Sequence, residues 1–241
     1  MSRYVGVDGC SSGWFAVTCD PDEGLDYALR SDFAAVVDAV PTADRLLVDM
    51  PIGLPERGRR ACDEAARERL GSRASTVFFA PCRAVLDARD HEAASAVNRD
   101  RTGYGLSIQA WHLVPRIREV DATLRSSRAI PPVVEAHPEL CFATLGDGPV
   151  SASKATAAGR TERLDRLRAV LPDVDRTYEA WLDATLRKDV ARDDVLDALV
   201  LAVSAAGPLA RVPAVPDEQV PRDAVGLPME IRYLADHAFD T

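Results

Sequence analysis

Three short apolar runs in this chain each end on a carboxylate: Val5-Gly6-Val7-Asp8, Leu46-Leu47-Val48-Asp49 and Pro132-Val133-Val134-Glu135. A further acidic group, Asp193, Asp194 and Asp197, opens an apolar helix far downstream. Burying a carboxylate unpaired is costly, so one at a strand end needs a partner at the edge of the sheet. Several of them converging from distant stretches make a hard-cation site of the Mg²⁺ or Mn²⁺ kind, because these ions take oxygen ligands. Asp8, Asp49, Glu135, Asp194 and Asp197 are therefore the candidate metal ligands and catalytic acids. Taken singly, each has an ordinary explanation. Asp8 suits an Asp-Gly turn, Asp49 a loop cap, and Glu135 an ion pair with an arginine. Asp193 and Asp194 suit a first helical turn, where the helix dipole favours acids. Asp197 shares a helix face with Asp194 but lies a turn further in, among apolar residues. Acids at the ends of three separate core strands point jointly to a metal site.

His137 follows Glu135 by two, so on a strand both face one side and His137 is a candidate general base. Its ordinary explanation is a cap before Pro138. Arginines crowd the stretch after Asp49, at positions 57, 59, 60, 67, 69, 73 and 83. A guanidinium grips phosphate through two parallel hydrogen bonds. Arg67 and Arg69 alternate with acids on a solvated helix face. Arg59, Arg60 and Arg83 lie outside that helix and are the candidate substrate-binding residues, with Lys154 in a later loop as a fourth. The five cysteines are an odd number without a C-x-x-C pair, which argues against a disulfide framework and a zinc cluster.

A sheet must bring these residues together. Strand patterns run over about 3–9, 13–19 and 24–30, with turns at Gly9–Gly13 and Pro21–Gly24. Ser31 is placed to cap a helix over about 32–40, and a fourth strand covers 45–50. Helices are expected over about 60–71, 83–100 and 107–126, then a strand at 132–136 and a short helix at 138–145. A Gly/Ser/Ala-rich loop at 146–159 leads to helices near 160–171, 175–187 and 192–206. This predicts an α/β domain spanning 1–241, with a mixed sheet in the order β-β-β-α-β…β-α. A mostly helical insertion falls at about 55–130, and a Pro-rich arm at about 207–241 carries a terminal strand within 226–233.

That order, with acids on the first strand, the fourth strand and a C-terminal helix, resembles the ribonuclease H-like fold. There the acids hold two divalent ions about 3.5–4 Å apart. The chain also resembles the DUF429 family, whose members are described as predicted nucleases of that fold. The similar stretches are Val5–Cys10 with Gly13-Trp14, Val48–Pro55, Arg60–Asp63 with Ala66-Arg67 and Leu70-Gly71, Gly105–Ser107 with Gln109–Trp111, Ile117–Asp121, Glu135–Glu139 and Asp193–Leu199. The resemblance implies that Asp8 is the first-strand acid and Asp49 the fourth-strand acid. Asp194 and Asp197 correspond to the helical pair of the Holliday-junction resolvase branch. It also implies a nucleic acid substrate.

The formal net charge of −9 disfavours tight nonspecific duplex binding, and aromatics make up only 6% of the chain. Lys154 and Lys188 are the only lysines among 29 basic residues, a balance that suits a high-salt cytoplasm or a GC-rich genome. The N-terminus runs straight into a strand pattern, which predicts no signal peptide and a cytoplasmic protein. Two other readings fit the residues. Asp8-Gly9 with Gly13 between two strands resembles the phosphate hairpin of the actin–sugar-kinase type of ATP-binding protein, and a catalytically inactive scaffold would keep the fold alone.

Overall fold

The computed structural model describes residues 2–235. Three antiparallel strands open the chain: β1 (Tyr4–Cys10), β2 (Gly13–Asp20) and β3 (Gly24–Arg30). The β1–β2 turn needs Gly13, whose φ of 134° leaves its Cα side pressed against the Arg30 carbonyl, where a Cβ would collide. At the next turn the Asp20 carboxylate accepts the N–H groups of Asp22 (2.9 Å) and Glu23 (3.3 Å), a side chain bonding the backbone two residues on.

Helix α1 (Phe33–Ala39) then crosses over to β4 (Arg45–Val48), which lies parallel to β1 on the side away from β2. Its N-cap is Asp32, whose carboxylate accepts the Ala35 N–H at 2.8 Å, and not Ser31. Ser31 donates its hydroxyl to that same carboxylate. Strand β5 (Val133–Glu135) adds parallel to β4, giving the order β3-β2-β1-β4-β5. The result is a mixed five-stranded sheet between helices.

The segment between β4 and β5 holds α2 (Ala61–Leu70), α3 (His91–Thr102) and α4 (Ile108–Leu124). The helix expected over 83–100 is two pieces. A 3-10 turn covers Arg83–Asp87, and Asp90 starts α3 afresh by accepting the Ala93 N–H. After β5 come α5 (Pro138–Thr144), α6 (Ala157–Arg168), α7 (Val174–Ala184) and α8 (Arg192–Ala206). The Pro-rich arm is more ordered than its composition suggests: β6 (Leu209–Val212) pairs antiparallel with β7 (Ile231–Leu234). The part of that arm at 236–241 lies outside the described residues.

Strand alternation sorts the core into two layers. Val5, Val7, Leu46 and Val48 face α1 and α4, packing with Phe33, Val36, Ile117 and Val120. Phe15, Val17 and Leu47 face the opposite side, where α5, α7 and α8 pack. Gly6 also faces that side. A Cβ there would fall inside contact distance of the Ala198 carbonyl and the Ala202 nitrogen, so α8 lies directly on the backbone of β1. No helix among the described residues is long and apolar enough to cross a membrane, and all five cysteines are free.

Candidate functional site

The Gly6 contact decides where the acids meet. Residues two apart on a strand point to one face, so Asp8 faces α8 just as Gly6 does. The parallel register Val7↔Val48, carried on one place, sets Asp49 beside Asp8, and the Asp49 N–H donates to the Val7 carbonyl at 3.0 Å. From the other side α8 delivers Asp197, which is only 2% exposed. Asp8 is 8% exposed, and its Oδ1 accepts the Gly9 N–H at 2.8 Å. Burial first, then the nearby charges of Asp49 and Asp197, hold the Asp8 carboxyl well above the usual carboxylate range. Asp49 is raised by the same burial, against a lowering pull from His137 and Lys154. Asp197 is pushed up to about 6 by burial, partly offset by Lys154. These acids share one desolvated centre.

The family model for "Protein of unknown function (DUF429)" matches residues 6–218, well over half of the chain. The chain belongs to the DUF429 family. No curated protein and no solved structure matches it.

Within this DUF429 chain the other sequence-derived candidates divide sharply. Asp194 turns its Oδ2 back to the Ala191 N–H at 2.8 Å and so caps α8; burial pushes its pKa up to about 6. Glu135 points away from the centre, into a buried knot with Arg60. The Arg60 guanidinium reaches the two Glu135 oxygens at 2.7 and 2.8 Å, and the Ile52 N–H adds a third bond at 2.6 Å. Arg60 also binds Asp63 at 3.1 and 3.2 Å and the carbonyls of Ile52 and Gly53. At 2% exposure Arg60 is no phosphate-gripping residue, and Glu135 is its counterion. Arg83 is likewise taken up, by Asp121 at 2.8 Å and by Asp223. Arg59 alone of the three stays accessible, with its guanidinium over Phe79 (3.9 Å to the ring centroid) and Tyr104 (4.7 Å). Lys154 lies inside the acidic centre, its Nζ 2.8 Å from Asp197 and 3.1 Å from Asp193.

His137 is the N-cap residue of α5 and does not share a face with Glu135 on a continuing strand. Its Nε2 lies 3.3 Å from the Thr76 carbonyl, so Nε2 carries the proton; Nδ1 is buried without a partner. With Asp49, Pro51 and Phe78 it lines a recess.

Two residues at the site carry no plain sequence signal. Glu139, in the first turn of α5, is buried; Arg163 and Arg73 hold its Oε1, while its Oε2 has no partner. Its charge raises the pKa of both Asp49 and Asp197, which puts it on the edge of the centre. The one local hint is Pro138, which fixes the start of the helix and so aims Glu139 past that end. Arg116, on α4, donates to the Cys10 carbonyl and packs over Gly9, close enough to lower the Asp194 pKa. Nothing local in the sequence marks it.

Among the described residues no group of three or more His, Cys, Asp or Glu side chains closes tightly enough to hold a metal ion by itself. Yet Asp8 and Asp49 make no ion pair among the described residues, and Asp197 Oδ1 is buried without a partner. Such a donor set fits a hard cation that keeps much of its water, as Mg²⁺ does with one or two carboxylates.

Proposed function

We propose that this chain is a divalent-cation-dependent phosphodiesterase acting on nucleic acid, on a ribonuclease H-like sheet. The observation that carries the reading is the pairing of Asp8 and Asp49 at the ends of adjacent parallel strands, with Asp197 brought over them by the close packing of α8 on Gly6. The sheet order β3-β2-β1-β4-β5 supports the same assignment.

Asp8 and Asp49 would hold Mg²⁺ or Mn²⁺, and Asp197 would complete the negative wall behind it. The chemistry such an ion supplies is Lewis acidity toward a phosphoryl oxygen and a water of lowered pKa. The chain's own groups do the rest. His137, with Nδ1 free beside Asp49, takes a proton from the attacking water. Arg116 and the accessible Arg59 offer guanidinium groups to the phosphate backbone. Glu139, braced by Arg163, keeps Asp49 and Asp197 in a field that favours binding a cation.

The test is cleavage of a panel of single strands, duplexes, hybrids and branched junctions in Mg²⁺ and Mn²⁺, at low and molar salt, beside Asp8→Asn. Cutting by the native chain that vanishes in Asp8→Asn supports the reading and names the substrate class. No cutting, with magnesium-dependent release of phosphate from ATP, would replace it with the nucleotide-binding alternative.

A further inference from the structure

The carboxylate centre already contains a cation. Lys154 Nζ bridges Asp197 (2.8 Å) and Asp193 (3.1 Å), and its charge also lowers the pKa values of Asp8 and Asp49. The side chain keeps 43% exposure, yet the loop that carries it is pinned to α6. Ser151 bonds Glu162 through its N–H and its hydroxyl, and Arg163 donates to the Ala152 carbonyl at 3.3 Å. Thr156 caps α6 through the Gly159 N–H at 3.0 Å, and a Cβ on Gly159 would strike the Ser153 carbonyl. Lys154 is therefore mounted toward the acids by a fixed stretch of backbone.

The choice of residue matters as well. The chain uses arginine for all but two of its 29 basic residues, and one of the two exceptions is here. A guanidinium is a planar fork, whereas an ammonium is a compact point charge with three donors, the nearest a side chain comes to a small metal ion.

Matching the acids of the centre with their partners leaves two of them over. Glu139 is paired with Arg163, and Asp193 and Asp197 share Lys154, one positive charge against two negative. Asp194 is occupied by the Ala191 N–H. Asp8 and Asp49 have no ion-pair contact among the described residues, and their two negative charges match one divalent ion. Asp197 supports this from the other side. Its Oδ2 is taken by the lysine, while its Oδ1 is buried and unpartnered.

We propose that Lys154 stands where the second metal ion of a two-metal centre would stand, so that the site takes one divalent cation per chain, at Asp8 and Asp49. This rests on the cation-dependent reading above and revises the two-ion centre implied by the ribonuclease H-like resemblance.

Mn²⁺ titration of the full chain without substrate tests it, by calorimetry and by the paramagnetic resonance of free Mn²⁺. The wild type binds one ion, and Asp8→Asn loses that binding. Lys154→Met vacates Asp193 and Asp197 and binds two ions, while Lys154→Arg, which keeps the charge, still binds one. Two ions in the wild type overturn the proposal and leave the phosphodiesterase reading standing. One ion of unchanged affinity in a folded Lys154→Met overturns it as well. No Mn²⁺ binding by the wild type overturns both. Should Lys154→Met fail to fold, the wild-type stoichiometry still decides.

Discussion

Two buried carboxylate clusters lie at the same end of the parallel strands, and they are built in opposite ways. Around Glu135 every carboxylate oxygen has a hydrogen-bond partner, although burial still pushes the Glu135 pKa up to about 7. Arg60 sits between Glu135 and Asp63, the Ile52 N–H completes one side, and the Ala80 N–H reaches Asp63 at 2.9 Å. Around Asp8, by contrast, Asp8 and Asp49 have no ion pair among the described residues and Asp197 Oδ1 has no partner, while burial and neighbouring acids hold Asp8 and Asp49 above the ordinary carboxylate range. The first cluster ties α2 to β5. The second stores an electrostatic demand that the described residues do not meet. A buried acid with its partner supplied by the fold is architecture, and one whose partner is missing is a site.

Substitutions should separate the two. The largest effect is expected at the saturated cluster. Arg60→Met strands two buried carboxylates, and breaking a buried pair costs about 3–5 kcal/mol. At roughly 2–4 °C per kcal/mol for a chain of this size, thermal denaturation should show Tm falling by about 6–20 °C. A fall within error would remove the distinction. Next comes Gly6→Ala, whose methyl group pushes α8 off β1. Overpacking of this kind costs about 1–3 kcal/mol. It should also weaken Mn²⁺ binding by separating Asp197 from Asp8, which calorimetry reads directly.

Asp8→Asn should move stability the other way. Removing a desolvated, repelled charge should raise Tm of the metal-free protein, because burial and the neighbouring acids disfavour the ionised Asp8. The same variant should be inactive. A lower Tm would mean that Asp8 is structural, like Glu135.

The smallest effect is in pH. Asp197 is raised from 3.8 to about 6, so its protonated form favours the fold. The stabilisation is complete below about pH 4 and is lost as the pH rises through about 6. Melting wild type and Asp197→Asn side by side from pH 4 to 7.5, both metal-free, should show the variant gaining on the wild type across that window. A constant gap would mean that Lys154 neutralises Asp197 fully.

What the sequence disclosed follows the range of the interactions involved. Apolar runs bounded by turns located β1 to β5 to within a residue or two, whereas the terminal strand expected within 226–233 starts only at Ile231; α8 at 192–206 was legible because its acids precede an unbroken apolar stretch. Asp8, Asp49 and Asp197 were legible for the same reason: each terminates or interrupts a strong local pattern. The Arg60–Glu135 bond was not, because its partners lie 75 positions apart and nothing near either names the other. The break before α3 was misread since a 3-10 turn and a helix share much of their spacing, and the sign was Asp90, a good N-cap residue. Strand β6 was hidden by prolines, which flank it at Pro208 and Pro213 without entering it.

The seat of α8 on Gly6 also sets an order in time. Asp8 leaves the ribosome long before Asp197, so the pocket cannot close until α8 has been synthesised. At about 5–20 residues per second, the interval between them is roughly ten to forty seconds. During that interval β1 is synthesised with its helix-facing side uncovered and its acid unopposed. A nascent chain that has not yet reached α8 therefore carries half a centre, and the acids meet only once that helix has been made.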